Sequence, residues 1–277
     1  MIENIIPVTV IVPVKNEARI IRNCLNKLKY FEQVIVVDSN SIDGTKDIVE
    51  LEYLYEYYNF NWNGYYPKKR NWVLENIEIR NDYVLFLDAD EILTNEFINE
   101  ITNKIQTSDY SGYWLIYENY FLDKKLNYGV KMKKLALFNR HHGCYEKIDD
   151  QNWSKFDMEI HEHPIINGSI GTINSQIIHN DFKGIDSFIN KHNEYATWEA
   201  KRFLALGKNL NLTFRQKVKY YFMSSLILSI IYFIYNYLFK LGFLDGRRGL
   251  IYSSLKSFYF LLIYIKIYEL KYKPKLV

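Results

Sequence analysis

Cysteine is nearly missing from this chain: Cys24 and Cys144 are the only two in 277 residues. Two thiols build no disulfide framework, which excludes a small cross-linked scaffold and favours a reducing compartment. Acidic residues are scarce at one end. Residues 201–277 hold 14 Lys/Arg against two Asp/Glu, a balance of +12, whereas residues 1–200 hold 21 against 30, a balance of −9. The overall +3 therefore hides a mildly acidic body and a basic tail. Met1-Ile2-Glu3-Asn4 lacks the basic stretch of a secretory signal, so none is expected. No internal repeat is visible. What is plentiful is apolar: 48% hydrophobic residues suffice for a buried core, which excludes disorder as the default state.

The tail carries 18 Phe and Tyr among its cations. Twenty consecutive residues between Lys219 and Lys240 bear no charge, the length of a bilayer crossing. Against a span, Ser224, Ser225, Ser229 and Asn236 interrupt the run, and Lys256 breaks the next apolar stretch, Leu250–Ile265. Helices lying in a membrane interface are favoured over a true span or hairpin, and over a buried soluble helix. The expected partner is an anionic membrane surface. Nucleic acid is disfavoured, because long uncharged runs separate the cations. The chain reads as two domains, 1–210 and a helical membrane-association region at 211–277.

Along the body, Val8–Val14 is an apolar run of strand length, followed by a helical pattern through Ile20, Ile21, Cys24, Leu25 and Leu28. Val34–Val37 is a second buried strand ending on Asp38. Asp43-Gly44 is a turn pair, after which Thr45 can cap a helix to about Glu50. Leu51–Tyr55 is expected as a third strand, Lys69–Asn76 as a helix and Tyr83–Leu87 as a fourth strand. Thr94–Ile105 follows as an amphipathic helix, and Tyr113–Tyr117 and Leu135–Phe138 as strands. Residues 140–160 read as loop, Ile170–Ile173 and Ile177–His179 as short strands, and Ile185–Leu206 as a long helix. Strand, helix, strand, loop, helix at the start is the signature of a doubly wound, mostly parallel α/β sheet.

The most informative residues are Asp88-Ala89-Asp90, at the end of a clean apolar strand. Ligands of open α/β sheets bind outside the carboxyl ends of strands. Paired acids there offer hard oxygens to Mg²⁺ or Mn²⁺, which fills its other positions with water and phosphate. The blander reading is a polar strand-to-helix turn. Asp38 also ends a strand, where it can accept hydrogen bonds from a ribose or base, or cap a turn. Arg70, in Lys68-Lys69-Arg70, either offsets phosphate charge or belongs to a solvated face. His179 ends a strand and can complete a metal shell through its imidazole, or serve as a core histidine. His161 and His163 read as structural or acceptor-binding. Together with Glu162 they could instead suggest zinc, but a zinc hydrolase is disfavoured, since no cysteine lies near and the segment supplies at most two histidines. Arg140 is either an anchor for an anionic acceptor or diphosphate, or a surface residue. Trp198, three residues after Tyr195, reads as helix packing before sugar stacking.

Four blocks in order, Val8–Glu17, Val36-Val37-Asp38-Ser39 with Asp43-Gly44-Thr45, Lys69-Arg70-Asn71, and Leu87-Asp88-Ala89-Asp90-Glu91, resemble glycosyltransferase family 2, inverting enzymes of GT-A fold. Leu137-Phe138-Asn139-Arg140, Ile160-His161-Glu162, Ile178-His179, Asn193-Glu194-Tyr195 and Leu241–Gly246 are similar to a subgroup, the lipopolysaccharide core β-1,4-glucosyltransferase-like enzymes. The resemblance implies that Pro13, Lys15 and Glu17 line a nucleotide pocket, that Asp38 holds uridine with Arg70 beside it, that Asp88 meets ribose or metal next to Ala89, and that Asp90 binds the metal. It implies a UDP-sugar donor, with glucose favoured, a glycolipid or lipid-linked saccharide acceptor, and work at the cytoplasmic face of a bacterial inner membrane, peripheral or monotopic. Many members carry a Glu-Asp pair as the base, and none follows residue 120. Glu162 is the expected catalytic base in its place. Two other classes compete. A nucleotidyltransferase needs a glycine-rich loop after the first strand, and Val12–Glu17 has no glycine. A non-catalytic membrane-surface scaffold of the same fold would bind no nucleotide.

Overall fold

The structure, a computed structural model, describes residues 5–147, 154–157, 164–180, 184–206 and 220–272. The chain divides into two compact units. The first comprises residues 1–119, 132–151 and 155–180, and the second residues 120–131, 152–154 and 181–277.

The first unit is built on strand β1 (Ile6–Val14), in which every residue but one is buried. A strand apolar on both faces is stable only at the centre of a sheet covered on both sides. Accordingly β1 pairs in parallel with β2 (Phe31–Asp38) on one side and β4 (Tyr83–Phe86) on the other. The edge strand β3 (Glu56–Asn59) adds to β2, also in parallel. The sheet continues through β8 (Lys133–Asn139), β6 (Gly112–Phe121), β11 (Ile170–His179) and β5 (Glu91–Ile92), giving the order β3-β2-β1-β4-β8-β6-β11-β5. β8 is antiparallel to both β4 and β6, and β11 is parallel to β6. The short strands β9 (Gly143–Tyr145) and β10 (Pro164–Ile166) pair with each other.

Helix α1 (Ile21–Leu25) buries Ile21, Cys24 and Leu25. Helix α3 spans Lys69–Asn76, as its sequence predicts. Helix α4 (Asn95–Thr107) starts where Thr94 Oγ1 accepts the Phe97 N–H at 3.1 Å, and it buries Phe97, Ile98 and Ile101.

Three local expectations are corrected. The third strand is not Leu51–Tyr55. Helix α2 (Thr45–Asp47) runs on into a π-helical turn, Ile48–Tyr53, with Leu51 exposed and Leu54 at φ 56°, and the strand begins only at Glu56. Leu51 and Leu54 there face solvent, so apolar content alone misplaced the element. Thr45 does not cap α2. Gly44, at φ 87°, precedes the helix, and Asp43 Oδ1 accepts the Thr45 N–H. The two short strands near residue 175 are one strand, β11, with an irregularity between Ile173 and Gln176. Glu100 of α4 holds it, accepting the backbone N–H groups of Asn174 and Ser175 and the Ser175 hydroxyl, the last two at 2.7 Å. These bonds hold the Glu100 carboxyl below its ordinary value, against the opposing effect of partial burial.

The second unit contains the short strand β7 (Lys124–Lys125), helix α5 (Ile185–Leu206), helix α6 (Ile227–Ile234) with a π-helical extension (Tyr235–Phe239), and helix α7 (Gly246–Tyr272). Ala196 and Ala200 of α5 pack with Tyr259, Ile263 and Ile267 of α7. The twenty-residue uncharged run is not one helix. Ser224-Ser225-Leu226 is a turn, where Ser225 Oγ accepts the Ile227 N–H at 3.2 Å. Among the described residues, the helical segment long and apolar enough to cross a membrane is Gly242–Tyr272, and only 17% of its most apolar stretch is buried.

Candidate active site

Three parallel strands deliver their last residues to one rim. Asp38 lies level with Val14 in the β1–β2 register, and the chain leaves β4 through Leu87, whose N–H donates to Ile11 O, straight into Asp88. The loops beyond β1 and β2 are laced together. The N–H groups of Asn16, Glu17 and Ala18 donate to Ser41 Oγ, Thr45 Oγ1 and Asp43 Oδ2, and Asn16 Oδ1 accepts the Ile42 N–H. Pro13 is buried in this frame, Lys15 is exposed and Glu17 is half-buried.

Asp38 is fully buried. Its Oδ1 accepts the Ser41 N–H and hydroxyl at 3.0 and 2.6 Å, and its Oδ2 accepts the Tyr57 hydroxyl at 2.6 Å. A carboxylate has about four acceptor positions, so one is left for an incoming donor. Burial, then the bond to Asp38, pushes the Tyr57 phenol well up. Next to Asp38, the Ser39 hydroxyl hydrogen-bonds Asp157. The buried Lys69 ammonium lies 3.5 Å from Asp157 and donates to Val14 O at 3.1 Å. Burial lowers the Lys69 pKa, while Lys69 and then Ser39 hold Asp157 below its ordinary value despite burial.

Arg70, one residue on, turns the other way. Its guanidinium reaches Asp88 Oδ1 at 3.4 Å and stacks 5.1 Å over the Tyr145 ring. Lys134 of β8 donates to Asp88 Oδ2 at 2.6 Å and also pairs with Glu91. Burial opposes ionisation of Asp88, but Lys134 first and Arg70 second hold its carboxyl far below the usual range. Lys134 stays cationic against its own burial because Asp88 and Glu91 face it. Glu91 is fully buried, and its Oε2 takes the Asp88 N–H at 3.1 Å and the Tyr117 hydroxyl at 3.4 Å. Burial pushes its carboxyl up, to about 8, against the pull of Lys134.

Ala89 is buried in the turn, and Asp90 points elsewhere. The β5–β11 pairing sets His179 opposite Glu91, and His179 Nε2 lies 3.8 Å from Asp90 Oδ1. That oxygen is buried and accepts no hydrogen bond from any described residue. An anionic oxygen without a partner is costly, and a cation is the usual remedy. One donor atom each from Asp90, Glu91 and His179 lie within 4.8 Å of one another. Glu91 is already engaged by Lys134, Tyr117 and the Asp88 N–H, so Asp90 and His179 are the residues best fitted to hold a divalent ion.

The rim thus gathers Pro13, Lys15, Glu17, Asp38, Arg70, Asp88, Ala89, Asp90 and His179. Arg140 lies at the opposite end of β4: its N–H and Nε donate to Asp82 O and Asn81 O, before the strand begins. His161, Glu162 and His163 lie outside the described residues. Sequence reasoning missed Lys134, Tyr117 and Asp157. A lysine amid Lys131-Met132-Lys133-Lys134 gives no sign of which ammonium turns inward, although strand alternation separates Lys133 from Lys134.

The profile of glycosyl transferase family 2 matches residues 9–162, more than half of the chain. An uncharacterized glycosyltransferase of Rickettsia felis is 30% identical over 204 residues, covering 71% of this chain and 70% of its own. The lipopolysaccharide core biosynthesis glycosyltransferase LpsC of Rhizobium meliloti is 23% identical over 270 residues, 91% of each chain. Among solved structures, mannosyltransferase PcManGT from Pyrobaculum calidifontis, in complex with GDP-Man and Mn²⁺, matches with a TM-score of 0.54 and 15% identity over 96% of this chain and 88% of that one. At such identity the likeness shows a shared fold, and it is the expected GT-A fold. The chain belongs to glycosyl transferase family 2, and it is a glycosyltransferase.

Proposed function

We propose that the protein transfers a hexose, glucose favoured, from a UDP-sugar to a saccharide acceptor of a cell-surface glycan or lipid-linked oligosaccharide, with inversion and with a divalent metal. The observation that carries the reading is the buried Oδ1 of Asp90, which accepts no hydrogen bond among the described residues and faces His179, beside an Asp88 clamped by Arg70 and Lys134. Asp90 and His179 would hold the ion; a carboxylate with an imidazole suits Mn²⁺ better than Mg²⁺. When bound, the ion offsets charge on the leaving diphosphate.

The protein's own residues do the rest. Asp38, pre-aimed by Ser41 and Tyr57, takes a donor hydrogen from the nucleoside. Pro13, Lys15 and Glu17 wall the pocket. Arg70 offers its cation toward the phosphates while keeping Asp88 ionised. In the transfer, the acceptor oxygen bonds to the anomeric carbon as the bond to the diphosphate oxygen breaks, and a carboxylate takes the hydroxyl proton. Glu162 is the residue proposed for that proton. The 23%-identical lipopolysaccharide core enzyme supports a bacterial surface glycan as destination, and the basic, aromatic tail supports residence at the cytoplasmic face of the inner membrane.

The test is hydrolysis of a panel of sugar nucleotides by purified protein with Mn²⁺, Mg²⁺ or chelator. Metal-dependent release of UDP from one UDP-hexose, falling at least a hundredfold in Asp90→Asn, is expected. Turnover indifferent to chelator, or no sugar nucleotide turned over or bound, would refute the reading.

A further inference from the structure

The second unit contains a helical hairpin whose polarity is inside out. Between α6 and α7, beside the aromatic contact of Tyr232 with Phe260 (ring centroids 4.8 Å apart), the buried contacts are polar and small. Ser229 and Ser257 exchange hydrogen bonds, each hydroxyl donating to the other's carbonyl at 2.9 and 2.8 Å. Asn236, 1% exposed, donates to Ser253 Oγ at 2.7 Å, and Ser253 donates to Gly249 O. A Cβ on Gly249 would collide with the Gly242 carbonyl, so only glycine allows the approach. The aliphatic residues point outward instead. On α6 and its extension, Ile227, Ile230, Ile231, Ile234 and Leu238 form one exposed stripe at helical spacing, with Ile230 54% exposed. On α7, Ile251, Phe258 and Ile265 recur every seven residues along the exposed side.

Buried hydroxyls beneath an exposed isoleucine face are unfavourable in water and favourable in lipid, where small and polar residues join helices and aliphatic ones meet acyl chains. We infer that the α6–α7 hairpin is immersed in one leaflet of an anionic bilayer, lying along the interface with its isoleucine stripe in hydrocarbon, and does not span.

The orientation follows from length and charge. Ile227–Phe239 has 13 residues, about 20 Å of helix, against about 30 Å of hydrocarbon. The turn between the helices bears Lys240 and Asp245, and the first turn of α7 bears Arg247 and Arg248. It is fastened to the segment after β7: Asp245 accepts the N–H groups of Asn127 and Tyr128, Lys240 O that of Gly129, and Asn236 Oδ1 that of Val130. Entering turn-first would drag these charges through the bilayer. Three lysines of α7 turn toward α5, away from the apolar stripe. Lys256 reaches His192 at 3.1 Å, Lys266 donates to Thr197 at 2.8 Å, and Lys271 covers the Phe203 ring. One side of α7 is therefore occupied by protein along its length, as an interfacial helix permits and a lone span does not. The +12 balance of the tail selects anionic headgroups.

The inference extends the membrane reading and does not depend on the transfer chemistry. Full-length protein with a C-terminal peptide tag is mixed with phosphatidylcholine vesicles containing 30% phosphatidylglycerol, washed with 1 M NaCl and sedimented, and the tag is then probed with external protease. Most of the wild type is expected to stay bound, with the tag fully cleavable. Ile230→Asp/Ile234→Asp should lose at least tenfold in salt-resistant partitioning. Both positions are exposed, so unchanged circular dichroism and lipid-free donor hydrolysis report the fold of the variant and keep a failure of the catalytic reading separate. Release of the wild type by salt alone would leave only surface charge and overturn immersion. A protected tag would mean a span. Wild-type dimers that become monomers in the variant, with lipid binding unaltered, would make the stripe a contact between copies.

Discussion

Replacing Lys134 with methionine tests the electrostatic core of the site. The stem is kept and the ammonium removed, so the change isolates the charge that faces Asp88 and the fully buried Glu91. Deleting one partner of a buried ion pair costs about 3–5 kcal/mol, because an uncompensated charge stays behind. Three features place this case at the low end. The Lys134 and Asp88 side chains retain 28% and 31% exposure, Asp88 keeps Arg70, and Glu91, already pushed up to about 8, accepts a proton readily. A loss of about 3 kcal/mol is expected, which for a chain of this size lowers Tm by about 6–12 °C. The second variant carries the logic. Adding Glu91→Gln removes the acid that must otherwise stay protonated, so the double variant should recover part of the loss, most clearly when unfolding is followed above the Glu91 value of about 8. The assay is thermal unfolding of the four proteins of this cycle followed by circular dichroism. A Lys134→Met protein within about 2 °C of wild type, or a double variant no better than the single one above the Glu91 value, would refute the claim that this ammonium offsets the buried acids it faces.

Other expectations follow from the same geometry. His179→Ala should weaken Mn²⁺ binding at least tenfold, measured by calorimetry or Mn²⁺ paramagnetic resonance, and leave Tm nearly unchanged; equal affinity would remove His179 from the ion's ligands. Tyr57→Phe takes one of three hydrogen bonds from Asp38, a net cost of about 1–2 kcal/mol. It should raise the Kd for UDP several-fold, and undiminished binding would separate Asp38 from the nucleoside. The stability contributed by Asp157 has a defined sign in pH. Its pKa is lowered on folding, so the contribution is complete above the unfolded carboxylate value of about 4 and fades as pH falls through the folded value. Asp157→Asn should flatten the acid limb of a Tm–pH profile below about pH 4, whereas a parallel curve would count against the pair with Lys69.

The first ninety residues were largely legible, because a strand buried on both faces is written as an unbroken apolar run and its rim as the acids that end it. Val8–Val14, Val34–Val37 and Tyr83–Leu87 carry that signal, and with them came Asp38, Asp88 and Asp90. Two things escaped. Leu51 and Leu54 are apolar yet exposed, so composition pointed to a strand where the chain makes a π-helical turn. The partners of the carboxylates come from far along the chain, Lys134 by 46 residues from Asp88 and Asp157 by 118 from Ser39, and nothing local marks them. In the tail the sequence displayed the apolar residues but not their direction. That Ser229 and Asn236 face inward and the isoleucines outward is a property of how two helices meet.

The Glu100-held irregularity in β11 governs reach. Between Ile173 and Gln176 the strand advances three residues while β6 advances one, from Leu115 to Ile116. Two residues are taken up without changing which face each side chain meets, since the strand alternates with period two. In an unbroken ladder His179 would fall two residues, about 7 Å, further along, well past Asp90. An acid on a helix outside the site thus works as a length adjuster for the strand that delivers the imidazole. The gap between Asp90 and His179 can accordingly be retuned by changing the number of residues between Ile173 and Gln176, with both residues left as they are.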